Sequence, residues 1–361
     1  MGGQIVLALC SSDFNGYLLE FFDTRTACVL REVCLSLCES VKNHRWRDIN
    51  PKNAVRSLVA FALWSKSYPN AEAICWRGLS PIPNFGARSR VFNYVYLSRC
   101  RLTNDDLVHL AGIPTVVLRD CDLEAVTDAG FAHLRVNSQG IHTLDMGGCI
   151  RVNNITDAAF AHLRGIHTLV MGWYGHATCT DAAFAHLAGI HTLDLRDWGA
   201  APITDAAFAH LQGIHTLRMK HDWQKEITDA AFAHLQGIHT LEIGGYVNIT
   251  DAAFAHLTGV HSLSMRGLWW TTITDAAFAH LRGIHSLDMS NCFQFTDAAF
   301  AHLAGIHTLN MSACSQETIT DAAFAHLAGI HKLDMRGCRQ ETITAAAFAH
   351  LAGIQTLVLR W

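Results

Sequence analysis

Twenty of the 23 histidines in this chain stand in two regular columns. One runs His109, His133, His162, His186, His210, His234, His256, His280, His302, His326, His350. The other runs His142, His167, His191, His215, His239, His261, His285, His307, His331. Imidazoles in rows invite metal binding or proton transfer. A metal centre needs three or four converging ligands. Here each pair, such as His162 and His167, straddles a glycine turn, and no Cys or carboxylate recurs beside it as a third ligand. The columns are therefore expected to be structural, each ring hydrogen-bonding a neighbouring turn and packing on the next copy. Aspartates form a third row, from Asp128 to Asp321, each directly after a Thr. Thr-Asp before an apolar run is a helix start: Thr caps the end and Asp favours the positive pole of the helix. That makes the row a set of caps rather than of general bases. Of twelve cysteines, Cys100, Cys121, Cys149, Cys292, Cys314 and Cys338 share one slot. Cys in such a slot behaves as a small buried hydrophobe. No nucleophile–base pair, phosphate loop or metal cluster stands out, so neither catalysis nor a cofactor is expected.

The elements that carry these columns repeat. Between residues 102 and 351 the chain writes nearly the same phrase eleven times, ITDAAFAHLxGIHTLxM in its cleanest form. Measured from Asp to Asp the steps are 24 or 22 residues, except one of 29 where Val136 to Gln139 is inserted. A period this short predicts a solenoid, one small unit stacked along a line. Within a unit, Leu144/Met146 alternates like a strand with one buried face. Ile155 to Leu163 then reads as a two-turn helix with Phe160 and Leu163 on one face, ended by Gly165 in the left-handed region. Neither piece is stable alone. Stacking pairs the strands into a parallel sheet on a concave side and lines the convex side with short helices. Twelve such strand pairs run from Val95/Leu97 to Leu357/Leu359, with Ile74/Trp76 a candidate thirteenth. Twelve strands span roughly 50 Å.

The strand pattern LxxLxLxx(N/C) followed by a helix resembles the leucine-rich repeat. The Cys form here, with ITD before the helix, resembles the cysteine-containing subclass often joined to F-boxes. The likeness covers residues 92–361 and implies an α/β leucine-rich-repeat solenoid with an α-helical N-terminal cap. Residues 1–50 resemble a degenerate F-box: Phe21-Phe22-Asp23, then Leu30-Arg-Glu-Val33-Cys34, Leu37, Trp46-Arg47 and Ile49. Cys10 and Ser11 stand where that family usually has Leu-Pro. The resemblance implies a Skp1-like contact through Phe21, Phe22, Leu30, Val33, Cys34 and Trp46 within residues 14–49. The same segment also suits a cap over the first repeat's open apolar face. Residues 51–91 are expected to be helical cap and joint, with the helix over 53–65.

A formal charge of −4 gives no electrostatic footprint for nucleic acid. No stretch is long enough for a membrane helix, and the apolar run Ile5 to Leu9 follows no basic segment. Scattered and slot cysteines suggest reduced thiols and an intracellular protein, cytoplasmic or nuclear. Partners are therefore expected to be proteins. Slots that change between repeats are the places to look for them. On the sheet face these include Asp194, Arg196, Arg218, Lys220 and Glu242, where Asp194/Arg196 and Asp334/Arg336 can pair within a strand. Just after consecutive strands come Trp173, Tyr174, Trp198, Trp223, Tyr246, Trp269 and Trp270. Two expectations stand for these rings: an aromatic rim that binds a ligand, or packing over the sheet edge. The function implied is protein–protein interaction, as a substrate-recognition subunit of a cullin-type ubiquitin ligase or, alternatively, as a structural scaffold with no Skp1 contact. Leu357 to Trp361 reads as an unprotected edge strand, which predicts either self-association there or poor solubility.

Overall fold

The computed structural model describes residues 41, 44–47, 54–78, 82–83, 85, 92–135, 140–174, 179–198, 203–219, 226–245, 248–268 and 272–359. They belong to two compact units, residues 1–166 and 167–361.

Among the described residues of the first unit seven strands make two parallel ladders: β1 (Ala73–Trp76), β2 (Tyr94–Ser98), β3 (Arg101–Thr103), β4 (Thr115–Arg119), β5 (Asp122–Ala125), β6 (Thr143–Asp145) and β7 (Cys149–Ile150). β1, β2, β4 and β6 pair in that order, with Ile74, Val95, Val116 and Leu144 aligned. β3, β5 and β7 form the shorter ladder. Ile74/Trp76 is thus a strand, as the pattern allowed. The cap helix starts later than expected, at Leu58–Ser67 rather than at residue 53. Ser57 explains the start: its hydroxyl accepts the Ala60 N–H at 3.1 Å. Val55 is extended, in a parallel bridge with Trp76.

The second unit repeats one plan from β8 (Thr168–Tyr174) and β9 (Thr192–Trp198) through β10 (Thr216–Arg218), β11 (Thr240–Glu242), β12 (Ser262–Ser264), β13 (Ser286–Asp288), β14 (Thr308–Asn310) and β15 (Lys332–Asp334) to β16 (Thr356–Val358). All pairs are parallel, and Leu169, Leu193, Leu217, Leu241, Leu263, Leu287, Leu309, Leu333 and Leu357 stand side by side. From Leu169 to Leu333 these leucines are buried. Period-2 side-chain alternation sends them into the core and their neighbours to the open sheet face.

The helical segment is tighter than the sequence implied. Asp157–Phe160 is a single α turn, and Ala161–Leu163 continues as a 3-10 turn. The two-turn α-helix is therefore corrected to one turn of each kind, and the segment Asp275–Leu281 is 3-10 throughout. Phe and Leu three apart share a face in either geometry, so packing does not demand a longer α-helix. The next residue leaves the helix (Arg164 has φ −55° and ψ 126°), and glycine reverses the chain. Gly213 shows what that reversal requires. Its φ is 79°, and beyond the glycine and its two chain neighbours no heavy atom lies within 4 Å of where a Cβ would sit. Gly213→Ala is expected to cost about 1–2 kcal/mol through backbone strain alone. The urea midpoint reads it; an unchanged midpoint would mean that the turn does not need a left-handed residue.

Candidate functional site

The sheet face of the second unit carries one in-register column: Val170, Asp194, Arg218, Glu242, Ser264, Asp288, Asn310, Asp334 and Val358. Much of it serves the backbone. Asp194, Asp288, Asn310 and Asp334 each accept the N–H two residues on, at 2.9–3.1 Å. At Asp288, Asn310 and Asp334 the short side chain so closes the turn that follows the strand, and at Asp194 it braces the strand β9 itself, a local role hidden in what looked like a freely varying slot.

Charges gather where β9, β10 and β11 meet. The Arg196 guanidinium forks onto Asp194, with Nη2–Oδ2 at 2.7 Å and Nε–Oδ1 at 3.0 Å. Arg218 lies 3.8 Å from Asp194 and 4.0 Å from Glu242, and Arg196 also lies 4.0 Å from Glu242. Two cations and two anions balance, as the within-strand pairing suggested. Asp194 is buried, yet the side chains of Arg196 and Arg218 remain 45% and 41% exposed. The buried Asp194 carboxylate relies on these guanidinium groups, whose own open sides can still meet a ligand. Arg336 forks onto Asp334 in the same way, at 2.6 Å. Burial pushes the Asp334 carboxyl up, but hydrogen bonds and charge from Arg336 bring it below its ordinary value. In the first unit Arg119 crosses from β4 to Asp145 on β6 at 2.6 Å. Gly147 leaves room there for the Arg119 guanidinium, which a side chain at that position would displace.

A second charged site was not anticipated. On the short ladder Arg101 and Arg151 each bridge Asp122 and Glu124, at 2.8–3.3 Å. Arg101, Thr103, Glu124 and Ala125 line an open cavity of about 330 Å³ there. Asp122-Leu-Glu124 directly after Cys121 was the available signal, but pairing it with Arg151 needed the ladder register.

The constant columns are structural contacts between copies. Thr156 and its equivalents cap their turns through the hydroxyl. The aspartates do more than favour a helix end. Each of Asp128, Asp181, Asp205, Asp229, Asp251, Asp275, Asp297 and Asp321 accepts the backbone N–H and the hydroxyl of the Thr in a following copy, at 2.6–2.9 Å. Those bonds hold the Asp321 carboxyl below its ordinary value. The slot cysteines add thiol donors: Cys292, Cys314 and Cys338 give their S–H to the carbonyls of Met265, Met289 and Met311, at 3.1–3.3 Å. Burial pushes the Cys149 thiol up to about 12 and those of Cys292 and Cys338 to about 11. The strand-entry histidines stack ring on ring. Parallel rings aim their nitrogens in parallel, and among the described residues no three His, Cys, Asp or Glu side chains could hold a metal ion.

Several candidate residues lie outside the described residues: Lys220, Trp223, Tyr246, Trp269 and Trp270, and the side chains of Trp173, Tyr174 and Trp198. Phe21, Phe22, Leu30, Val33 and Cys34 do as well. Trp46 is described, and it is not a docking residue. It is 2% exposed, its indole N–H donates to the Val41 carbonyl at 2.8 Å, and its ring meets the edge of Tyr68. Arg45 and Arg47 beside it pair with Glu72, at 3.3 and 2.7 Å. An aromatic ring of this size gains most from burial, and its one polar atom is satisfied inside.

The BspA-type leucine-rich-repeat family matches residues 149–261 and 248–360, in six copies. The chain belongs to that family. No curated protein matches it significantly. Among solved structures it is similar to an internalin of Listeria monocytogenes, with 16% identity, a TM-score of 0.60, and coverage of 93% of this chain and 94% of that one. It is similar to yeast Rad7, solved in complex with Elc1, with 14% identity, a TM-score of 0.50 and coverage of 99% and 98%. It is also similar to Drosophila Toll in complex with Spatzle, with 15% identity and a TM-score of 0.54, over 83% of this chain. The chain spans about half of that Toll chain, 49%. At these identities the likeness shows the leucine-rich-repeat fold. Among the described residues no helix is long and apolar enough to cross a membrane.

Proposed function

We propose that this leucine-rich-repeat protein is a protein-binding module whose ligand meets the sheet face across β9, β10 and β11. The observation that carries the proposal is the balanced cluster of Asp194, Arg196, Arg218 and Glu242. Arg is enriched in interface cores and hot spots. Guanidinium groups already held by carboxylates lose less freedom when a ligand arrives. Two similar folds were solved with protein partners, Toll with Spatzle and Rad7 with Elc1, which supports this use of the fold. Trp173 and Trp198 are not beyond their strands as the sequence suggested but within β8 and at the end of β9, paired in register; Trp223 follows β10 in sequence, and in this proposal the three form the aromatic rim of the site.

Affinity purification with mass spectrometry, run on the parent and on an Arg196→Ala/Arg218→Ala variant, tests it. The main partner is expected to fall at least about tenfold in the variant, the scale of a hot-spot truncation. Equal recovery of that partner would end the sheet-face assignment. The finer proposal is a substrate-recognition subunit of a cullin ubiquitin ligase, joined to Skp1 through residues 14–49. It is supported by the sequence resemblance, without Trp46 among its contacts. Skp1 and cullin in the parent eluate would favour it; another stable partner in their absence would favour a scaffold. An intracellular setting suits eight free, buried thiols among the described residues.

A further inference from the structure

The strand-entry histidines of the second unit form an element that the binding proposal does not use. From His167 to His331 eight rings lie face to face, with centroids 4.0–4.5 Å apart and planes within 10–21° of each other. In His167, His191, His215, His239 and His307 the Nδ1 atom shares a hydrogen bond with the hydroxyl of the next residue, Thr, at 3.1–3.2 Å. That fixes the rings side by side and leaves Nε2 as the nitrogen not engaged by the Thr hydroxyl. The rings are half-buried to exposed, so the edge of the row is open to solvent.

The charge around them is one-sided. The segment from the helical-turn histidine to the strand entry, AHLAGIHT in Ala185 to Thr192, recurs up to Lys332 without one Asp or Glu, while it includes Arg282 and Lys332. The charged groups that His215 meets are His191 and His239, and those that His307 meets are His331 and His285. Carboxylates of the packed elements are committed elsewhere. The turn aspartates bind the following Thr, Asp321 faces His350 of the other column, and Asp334 is held by Arg336 beyond Lys332. Near neutral pH an ordinary imidazole is mostly neutral, so the row adds little charge there. Loss of hydration and the like charge of neighbours keep His215 and His307 below the ordinary histidine value. Below the histidine range the same edge gains cations next to one another, and for His215 and His307 the charged neighbours are themselves histidines. A chain of anions laid along it supplies counter-charge and favours the protonated rings.

We propose that the His167–His331 column is an acid-gated binding edge for a linear polyanion, open below about pH 6 and closed near neutrality. The line is one ring wide, which fits a chain rather than a flat membrane surface. Inorganic polyphosphate is the probe, added to the full chain at about pH 5.5 and about pH 7.4, on either side of the histidine range. The test variant is His191→Gln/His239→Gln/His285→Gln. Gln355 fills the same slot after the last ring and makes the same backbone bond, to the His331 carbonyl at 3.0 Å, so Gln suits the position. The control is His186→Gln/His234→Gln/His280→Gln, in the other column. Binding at the acid pH is expected to be at least about tenfold tighter than near neutrality, as for a row of newly formed cations. Most of that gain should be lost in the test variant and kept in the control. Equal affinity at both pH values, or equal loss in both variants, overturns the proposal. Proton uptake on mixing near pH 6.5, the ordinary histidine value, gives a second measurement that needs no acid exposure of the fold. Uptake that falls in the test variant alone supports the proposal, and no uptake overturns it.

Discussion

Phe232→Ala is expected to destabilise the second unit by about 3–5 kcal/mol, the usual cost of emptying an aromatic core site. Phe232 is 0% exposed, and Phe184, Phe208, Phe254, Phe278, Phe300 and Phe324 repeat its burial in neighbouring copies. Each ring sits at the end of one short turn and is a large part of what that turn buries. A four-residue turn such as Asp229–Phe232 has no helical stability of its own. In a solenoid the energy is a sum of units and nearest-neighbour contacts, so the damage should stay local. Amide exchange should speed most in residues 226–245 and their flanking copies, and little around Lys332–Asp334. Denaturant unfolding gives the size and exchange gives the place. A loss below about 1 kcal/mol would mean that this ring does not hold its repeat.

What the sequence revealed depended on range. Leu217/Met219 and their equivalents were legible because period-2 alternation is local and was written many times over. The thirteenth strand at Ile74/Trp76 was visible for the same reason, while the cap helix was placed too early. Val55 is apolar enough for a helix, and only its bridge to Trp76, 21 residues away in sequence, holds it extended. The histidine stack was foreseeable, since a ring in the same slot of every copy must meet its own image. The helix type was not: Phe160 and Leu163 share a face whether the turn is α or 3-10. Asp194/Arg196 could be paired from spacing alone, but the approach of Arg218 and Glu242 required strand register. Trp46 shows the opposite failure. A motif suggested an outward contact, whereas the Val41 carbonyl and the Tyr68 ring make it an inward one.

Asp205→Ala carries the second large effect, because the aspartate ladder was the least legible feature and links consecutive repeats directly. Asp205 accepts the Thr228 N–H at 2.8 Å and the Thr228 hydroxyl at 2.6 Å. Removing the carboxylate leaves a part-buried N–H and hydroxyl without that partner, and hydrogen bonds to a charged acceptor contribute about 1.5–3 kcal/mol. The expected loss is of that size. Asp205→Asn should lose about half as much, since its one carbonyl oxygen can still accept the N–H. The ladder also sets an acid limit. The folded-state value of Asp321 is lowered by the Thr344 hydroxyl and N–H. A lowered carboxylate contributes stability that is fully present above its ordinary value near 3.8 and is lost as pH falls through the lower, folded value. Stability of the second unit should therefore decline below about pH 4, separately from any effect of the histidine stack in the higher range. Denaturant midpoints for the parent and both variants at neutral pH, with the parent followed down in pH, measure all of this. If Asp205→Ala matched the parent, neighbouring copies would be joined by packing and strand pairing alone, and the constant Thr-Asp pair would be only the local helix cap that the sequence suggested.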